Sequence, residues 1–250
     1  MRSAAPIWSL ILALSLAACA PGPEDRPQGV VTPGSEPPRR SDEPTQPQQP
    51  QRTKQGTGFF IDADGLLLTV NHVIDGCTRV VTIPSDRAPQ TATVLATDRA
   101  RDVALLRVKG ANFPYVKLAE TPPAGNTTVT VIGIPEGGGS GLRARQLHLL
   151  NNRAADLGRA PMPSQRLLME GASRHGESGG LITDDGFAVG LVSAFTRLTP
   201  AAQTRMGMEE AEMSVGPGLG PMRDIIAGQT LVPGRPAAAP MYAVALIMCR

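Results

Sequence analysis

From Gly56 onward the apolar residues come in short runs, each closed by Gly, Pro, Asp or Asn, and this rhythm excludes most folds. Gly58-Phe59-Phe60-Ile61 stops at Asp62-Ala63-Asp64-Gly65, and Leu66-Leu67-Leu68-Thr69-Val70 follows. An apolar run, an Asp-Gly turn and a second apolar run are the signal of a β-hairpin. Further aliphatic or β-branched runs occupy Arg79 to Ile83, Thr91 to Ala96, Val103 to Val108, Thr127 to Ile134, Leu167 to Glu170, Gly180 to Thr183 and Phe187 to Ala194. Only Pro221 to Ala227 suggests a helix, and a short one. The 27 Gly and 24 Pro among 250 residues also disfavour a helical bundle. The body, residues 54 to 232, therefore reads as all-β. Its strands are too many and too short for one open sheet, which leaves a sandwich or barrels.

Ahead of this body the chain changes character. Arg2 precedes a 12-residue apolar run, Ile7 to Ala18, too short to cross a bilayer and suited to an export signal. The run ends in Leu16-Ala17-Ala18-Cys19, which resembles the lipobox of bacterial lipoproteins. On that resemblance residues 1 to 18 are a lipoprotein signal peptide and Cys19 is lipidated, anchoring the protein to a membrane. Ala20 in the next position resembles lipoproteins sorted to the outer membrane, with the body facing the periplasm. Cleavage after Ala18 or Ala20, with Cys19 free or disulfide-bonded, is the alternative. Residues 19 to 53 read as a disordered linker: nine prolines fall among the 34 residues from Ala20 to Thr53, with almost no large apolar side chain. Such a strap spaces a tethered domain from its anchor.

The overall charge argues against nucleic acid as a partner. Lys+Arg number 24 against 22 Asp+Glu, a formal charge of +2, and aromatics make up 3% of the chain, leaving little to stack on bases. Gly137-Gly138-Gly139-Ser140-Gly141 lacks the Gly-Lys-Ser/Thr of a phosphate loop. Met206-Gly207-Met208-Glu209-Glu210, with Glu212 and Met213, mixes soft and hard donors without His and reads as a solvated loop, so no metal site is expected.

Three residues carry the chemistry. His72, one of only three histidines, follows the run Leu68-Thr69-Val70-Asn71, where an imidazole is both oriented and reachable. Asp102 opens Asp102-Val103-Ala104-Leu105-Leu106; a carboxylate there needs a donor such as an imidazole N–H, and Asp98 is its rival. Ser178 lies in Gly176-Glu177-Ser178-Gly179-Gly180, where glycines permit a sharp turn that aims the Gly176 and Ser178 amides at one spot, as an oxyanion hole requires. Singly, each has an ordinary structural reading. Together, in the order His, Asp, Ser, they match one known triad order.

At these residues the chain resembles the chymotrypsin/trypsin-like serine proteases, particularly the bacterial HtrA/Deg type. The likeness rests on Gly56-Thr57-Gly58-Phe59-Phe60-Ile61 with Asp64-Gly65, Leu68 to Ile74, Asp102 to Leu106, Val131-Ile132-Gly133-Ile134-Pro135, Gly176 to Gly180, and Gly186 to Ser193. It implies two six-stranded antiparallel Greek-key β-barrels, about 54 to 119 and 122 to 232, with the site between them. By the same resemblance Ser178 attacks the scissile carbonyl, His72 relays its proton, Asp102 orients His72, and the Gly176 and Ser178 amides hold the oxyanion. The implied substrates are proteins or peptides, and no cofactor is required. Ala172 would lie at the base of the pocket for the residue before the scissile bond, with Ser193, Ala194 and Phe195 as a wall. Without a carboxylate at Ala172, small or medium apolar residues are the expected preference, although Arg174 near the rim would favour an acidic one.

Several features depart from that family. Glu177 stands where HtrA-type enzymes usually have Asn; the expectation is that either Arg174 or His175 neutralises it, or that the loop rests in an inactive form until substrate or a partner orders it. The rival reading is a non-catalytic or conditionally inactive lipoprotein that keeps the fold as a peptide-binding module. The 22 residues after Gly228 are too few for a PDZ domain, so peptide-gated allostery is not expected. Residues 233 to 250 are expected to dock on the body as a strand or helix. In an oxidising compartment Cys77 and Cys249 are the remaining pair for a disulfide, the alternative being two buried thiols.

Overall fold

The computed structural model describes residues 53–124, 127–137, 141–150, 166–208 and 212–250. The export signal, Cys19 and the Pro-rich segment up to residue 52 lie outside the described residues, as do Gly138 to Ser140 and Glu209 to Glu210. In chain order the first half holds β1 (Lys54–Phe60), β2 (Leu66–Thr69), a single helical turn α1 (Asn71–Ile74), β3 (Val80–Pro84), β4 (Gln90–Asp98) and β5 (Val103–Val108). The second half holds β6 (Thr128–Gly133), β7 (Arg143–Leu150), β8 (Arg166–Glu170), β9 (Leu181–Asp184), β10 (Phe187–Leu191), β11 (Ala194–Arg197), α2 (Pro200–Met206), β12 (Glu212–Pro217) and α3 (Leu219–Ile226). A 3-10 turn at Pro240–Ala243 leads into β13 (Val244–Cys249).

The expected hairpin is present, with Phe59 opposite Leu68 and Phe60 opposite Leu67. Its turn is set by the buried Asp62 carboxylate, which accepts the Leu66 amide at 2.7 Å and the Asp64 amide at 3.1 Å. Gly65 is required there: its φ is +85°, and a Cβ would stand 2.1 Å from the Val108 carbonyl oxygen. Leu66, Leu67 and Leu68 are all fully buried. Both faces of β2 are covered, which is why its sequence is a continuous apolar run and not an alternation.

The first half closes into a six-stranded barrel in the order β1-β13-β3-β4-β5-β2. The segment read as a docked tail is one of its staves. β13 hydrogen-bonds antiparallel to β1, from Lys54 opposite Cys249 to Phe59 opposite Val244, and on its other side to β3. Cys77 and Cys249 are bonded, their Cα atoms 5.4 Å apart, so the turn after α1 is tied to the end of this stave.

The second half is a seven-stranded antiparallel sheet in the order β10-β9-β6-β7-β8-β12-β11, where six strands were expected. The run Phe187 to Ala194 forms β10 and ends where β11, Ala194–Arg197, begins. The Val192 amide still donates to Gly180, but the Ser193 amide turns to Val215, so the chain leaves β9 and pairs with β12 as β11. One apolar cluster joins the halves, running from Phe59, Leu105 and Ile247 of the barrel to Ile132, Leu181 and Met222 beyond it.

Candidate active site

His72 stands on α1, directly after β2. Val73 and Ile74 of the same turn are buried, and this packing turns the imidazole outward, its side chain 49% exposed. Asp102 precedes β5 at φ +58°, a left-handed backbone that Asp adopts more readily than most residues. Its Oδ1 accepts the His72 amide at 3.0 Å and its Oδ2 lies 2.9 Å from His72 Nδ1. The Ser193 hydroxyl donates to the same Oδ2. The rival Asp98 is engaged elsewhere, capping its own turn through the Arg101 amide at 2.9 Å and Arg101 Nε at 2.6 Å.

Burial pushes the Asp102 carboxyl up, but the hydrogen bonds from the His72 ring and the Ser193 hydroxyl, with the His72 charge and amide, outweigh it and hold the group below the usual carboxylate range. An ionised carboxylate can only accept, so His72 Nδ1 carries the donated proton. In the neutral ring Nε2 is then the free base.

Ser178 lies on a loop of the second half that is tied to the first. Its carbonyl accepts the Thr57 amide at 2.7 Å, while Thr57 Oγ1 donates to the Gly176 carbonyl at 2.8 Å and accepts the Ile134 amide at 3.0 Å. Gly179, at φ +84°, permits this approach, because a Cβ there would stand 2.0 Å from the Thr57 carbonyl oxygen. The His175 carbonyl accepts the Glu136 amide at 2.7 Å, so the planar trans peptide points the Gly176 N–H the opposite way. Among the described residues neither the Gly176 nor the Ser178 amide has a hydrogen-bond partner. The Ser178 hydroxyl donates to the Ser193 carbonyl at 3.2 Å. The His72–Asp102 half is thus assembled, whereas Ser178 makes no hydrogen bond to His72 among the described residues.

Glu177 is 2% exposed, and its partner is neither Arg174 nor His175, both of whose side chains are exposed. Arg145 of β7 supplies the cation, with Nη2 2.7 Å from Glu177 Oε2. Arg174 contributes only its backbone amide, 2.8 Å from the same oxygen. The expected partners were near in sequence; the actual one comes from the stretch after Gly137. The strand itself is marked only by the alternation Gln146-Leu147-His148-Leu149, which says nothing of the partner Arg145 takes. Thr57 carried no signal beyond its place in Gly56-Thr57-Gly58.

Ala172 is half-buried, and its carbonyl accepts from Arg145 Nη1. Ser193 is buried, while Ala194 and Phe195 are exposed on β11, at the edge of the sheet. The Phe195 ring meets the His175 ring edge-on at 6.4 Å.

A barrel bearing a His–Asp pair, set against a second β-sheet bearing a glycine-flanked serine, defines a chymotrypsin-like β fold. The model of the trypsin-like peptidase domain matches residues 56–191, and the chain belongs to that family. A protein of Pseudomonas putida strain GB-1 described as a probable periplasmic serine endoprotease, DegP-like, is 40% identical over 84 residues. The match covers 31% of this chain and 18% of that relative. A protein of the same description from Marinomonas sp. strain MWYL1 is 41% identical over 75 residues, covering 30% of this chain and 16% of its own length. The chain therefore matches less than a fifth of the length of these relatives. Among solved structures, the active form of the Rv3671c protease of M. tuberculosis superposes with a TM-score of 0.56 at 26% identity, covering 76% of this chain and 80% of that one. The serine endoprotease of Yersinia pestis, at 19% identity and a TM-score of 0.54, shares the fold; it covers 68% of this chain and 56% of its own.

Proposed function

We propose that the chain is a serine endopeptidase of the bacterial cell envelope that cleaves protein or peptide substrates through His72, Asp102 and Ser178. The observation that carries this is the Asp102 carboxylate, held by His72 and Ser193 so that the free imidazole nitrogen is a base, with a glycine-flanked serine on the loop tied to the same barrel. In this mechanism a substrate N–H takes over the Ser193 carbonyl and the Ser178 hydroxyl turns to His72 Nε2. Ser178 Oγ then forms a bond to the scissile carbonyl carbon as His72 takes its proton. The oxyanion is held by the Gly176 and Ser178 amides. Collapse breaks the C–N bond, His72 returns the proton to the leaving amine, and water repeats the sequence to release the acyl group.

Ala172, which brings no carboxylate to the pocket base, with the Ser193–Ala194–Phe195 wall, supports small or medium apolar residues before the scissile bond. The lipobox-like Leu16 to Cys19 supports a lipid anchor, Ala20 supports its sorting to the outer membrane, and the periplasmic description of the Pseudomonas relative supports a place in the cell envelope. A second reading, a peptide-binding module, is favoured by the Ser178 hydroxyl resting on Ser193 instead of His72. Hydrolysis of a mixed peptide library by the full chain separates the two. We expect cleavage after small apolar residues that falls by about 10⁴-fold or more in Ser178→Ala and in His72→Ala. A folded wild type that binds peptides and cleaves none would establish the module.

A further inference from the structure

We infer that Arg145 is a positioning residue that fixes the loop from Ala172 to Ser178, an inference that rests on the peptidase reading. Arg145 belongs to β7 and not to the loop. Its guanidinium nonetheless spans it, with Nη1 on the Ala172 carbonyl and Nη2 2.7 Å from Glu177 Oε2. That carboxylate oxygen also accepts the Arg174 amide at 2.8 Å, and the Glu177 amide donates back to the Arg174 carbonyl at 3.0 Å. Peptides at the start, middle and end of the loop are thereby tied through one ion pair.

Glu177 is enclosed: it is 2% exposed, and a Cβ at Gly133 would come within 3.1 Å of its Cβ and Cγ. A carboxylate so placed needs a cation. Stability alone does not explain this arrangement. A buried ion pair is often no more stable than apolar side chains of similar volume, and Arg145 Nε is buried without a partner among the described residues. What the pair does fix is the path of the backbone between residues 174 and 178, which carries the Gly176 and Ser178 amides. Arg145 touches no reacting atom; it acts through Glu177, setting the geometry in which those amides meet negative charge.

The test is the rate of inactivation of the full chain by a fluorophosphonate–rhodamine probe, resolved into the maximal rate and the concentration for half-maximal rate. In Arg145→Met, which strands the Glu177 charge, the maximal rate falls about 100-fold, the loss that one missing oxyanion donor produces. The half-maximal concentration stays within about threefold, because ground-state binding is untouched. Arg145→Met/Glu177→Gln removes the stranded charge and recovers at least about tenfold of that loss. Arg145→Lys, which cannot fork between two acceptors, falls between the wild type and Arg145→Met and keeps the test open if Arg145→Met does not fold. Near-UV circular dichroism at the assay temperature normalises each rate to folded protein. A maximal rate per folded molecule unchanged in Arg145→Met or Arg145→Lys overturns the inference and leaves the peptidase reading standing. A folded wild type that never labels overturns both.

Discussion

The strand β5, which follows Asp102 in the barrel, and the strand β7, which carries Arg145 in the sheet, differ in how they are buried. In β5 five of six residues are buried; in β7 only Leu149 is. The strands next to His72 and Asp102, β2 and β5, are packed by apolar side chains on both faces, and the Ser193 hydroxyl adds a hydrogen bond to Asp102. The sheet positions its serine by polar ties: Thr57 reaching across from the barrel, and Arg145 reaching from β7. Apolar packing is non-directional and tolerant, whereas a hydrogen-bonded loop depends on particular atoms. One half acts as a fixed mount for the base, and the other as a loop whose shape rests on a few side chains.

The largest effect expected from breaking the barrel half without unfolding it is on the reaction. Asp102→Asn keeps the shape of the side chain but presents an amide to His72 Nδ1, favouring the wrong tautomer, and peptide hydrolysis should fall by about 10⁴-fold. A loss under about tenfold would mean that the His72–Asp102 pair does not set the rate. Next comes stability. Leu105, fully buried in β5, should cost about 2–5 kcal/mol on replacement by Ala in urea unfolding, and the half-buried Leu147 of β7 about 1 kcal/mol or less. Equal costs would erase the contrast between these two strands.

The smallest effect sharpens the account of Asp102. Its carboxyl titrates below the usual range in the folded chain, so the unfolded chain binds the proton more readily on acidification. The stability this contributes is complete above the unfolded value of about 3.9 and is lost as pH falls through the folded one. The gap in urea midpoint between wild type and Asp102→Asn should therefore be constant near pH 6 and move towards destabilising the wild type below about pH 4. A gap that does not change with pH would show that the carboxylate gains nothing from folding.

The contrast also governs what the sequence makes legible. Val103 to Val108 is read to the residue because five of its six residues are buried and only Arg107 interrupts the apolar run. The strand β7 is missed because its exposed positions include Arg143, Gln146 and His148, which dilute the apolar signal; β12 is missed although five of its six residues are buried, because only Met213 and Val215 among them are large and apolar; and β13 is read only as docked because nothing local says which strands it joins. His72, Asp102 and Ser178 are visible through their immediate neighbours and their order. Arg145 and Thr57 are not, since what matters about them is a contact made across 32 and 119 residues of chain. Spacing reports neighbours along the chain; a tertiary hydrogen bond leaves no local trace.

The most direct test of the central claim is to treat the full chain with a fluorophosphonate probe and locate the adduct by peptide mass spectrometry, with His72→Ala alongside. The account predicts one adduct, on Ser178, that disappears in His72→Ala. A correctly folded wild type with no adduct, or with one on another serine, would contradict it.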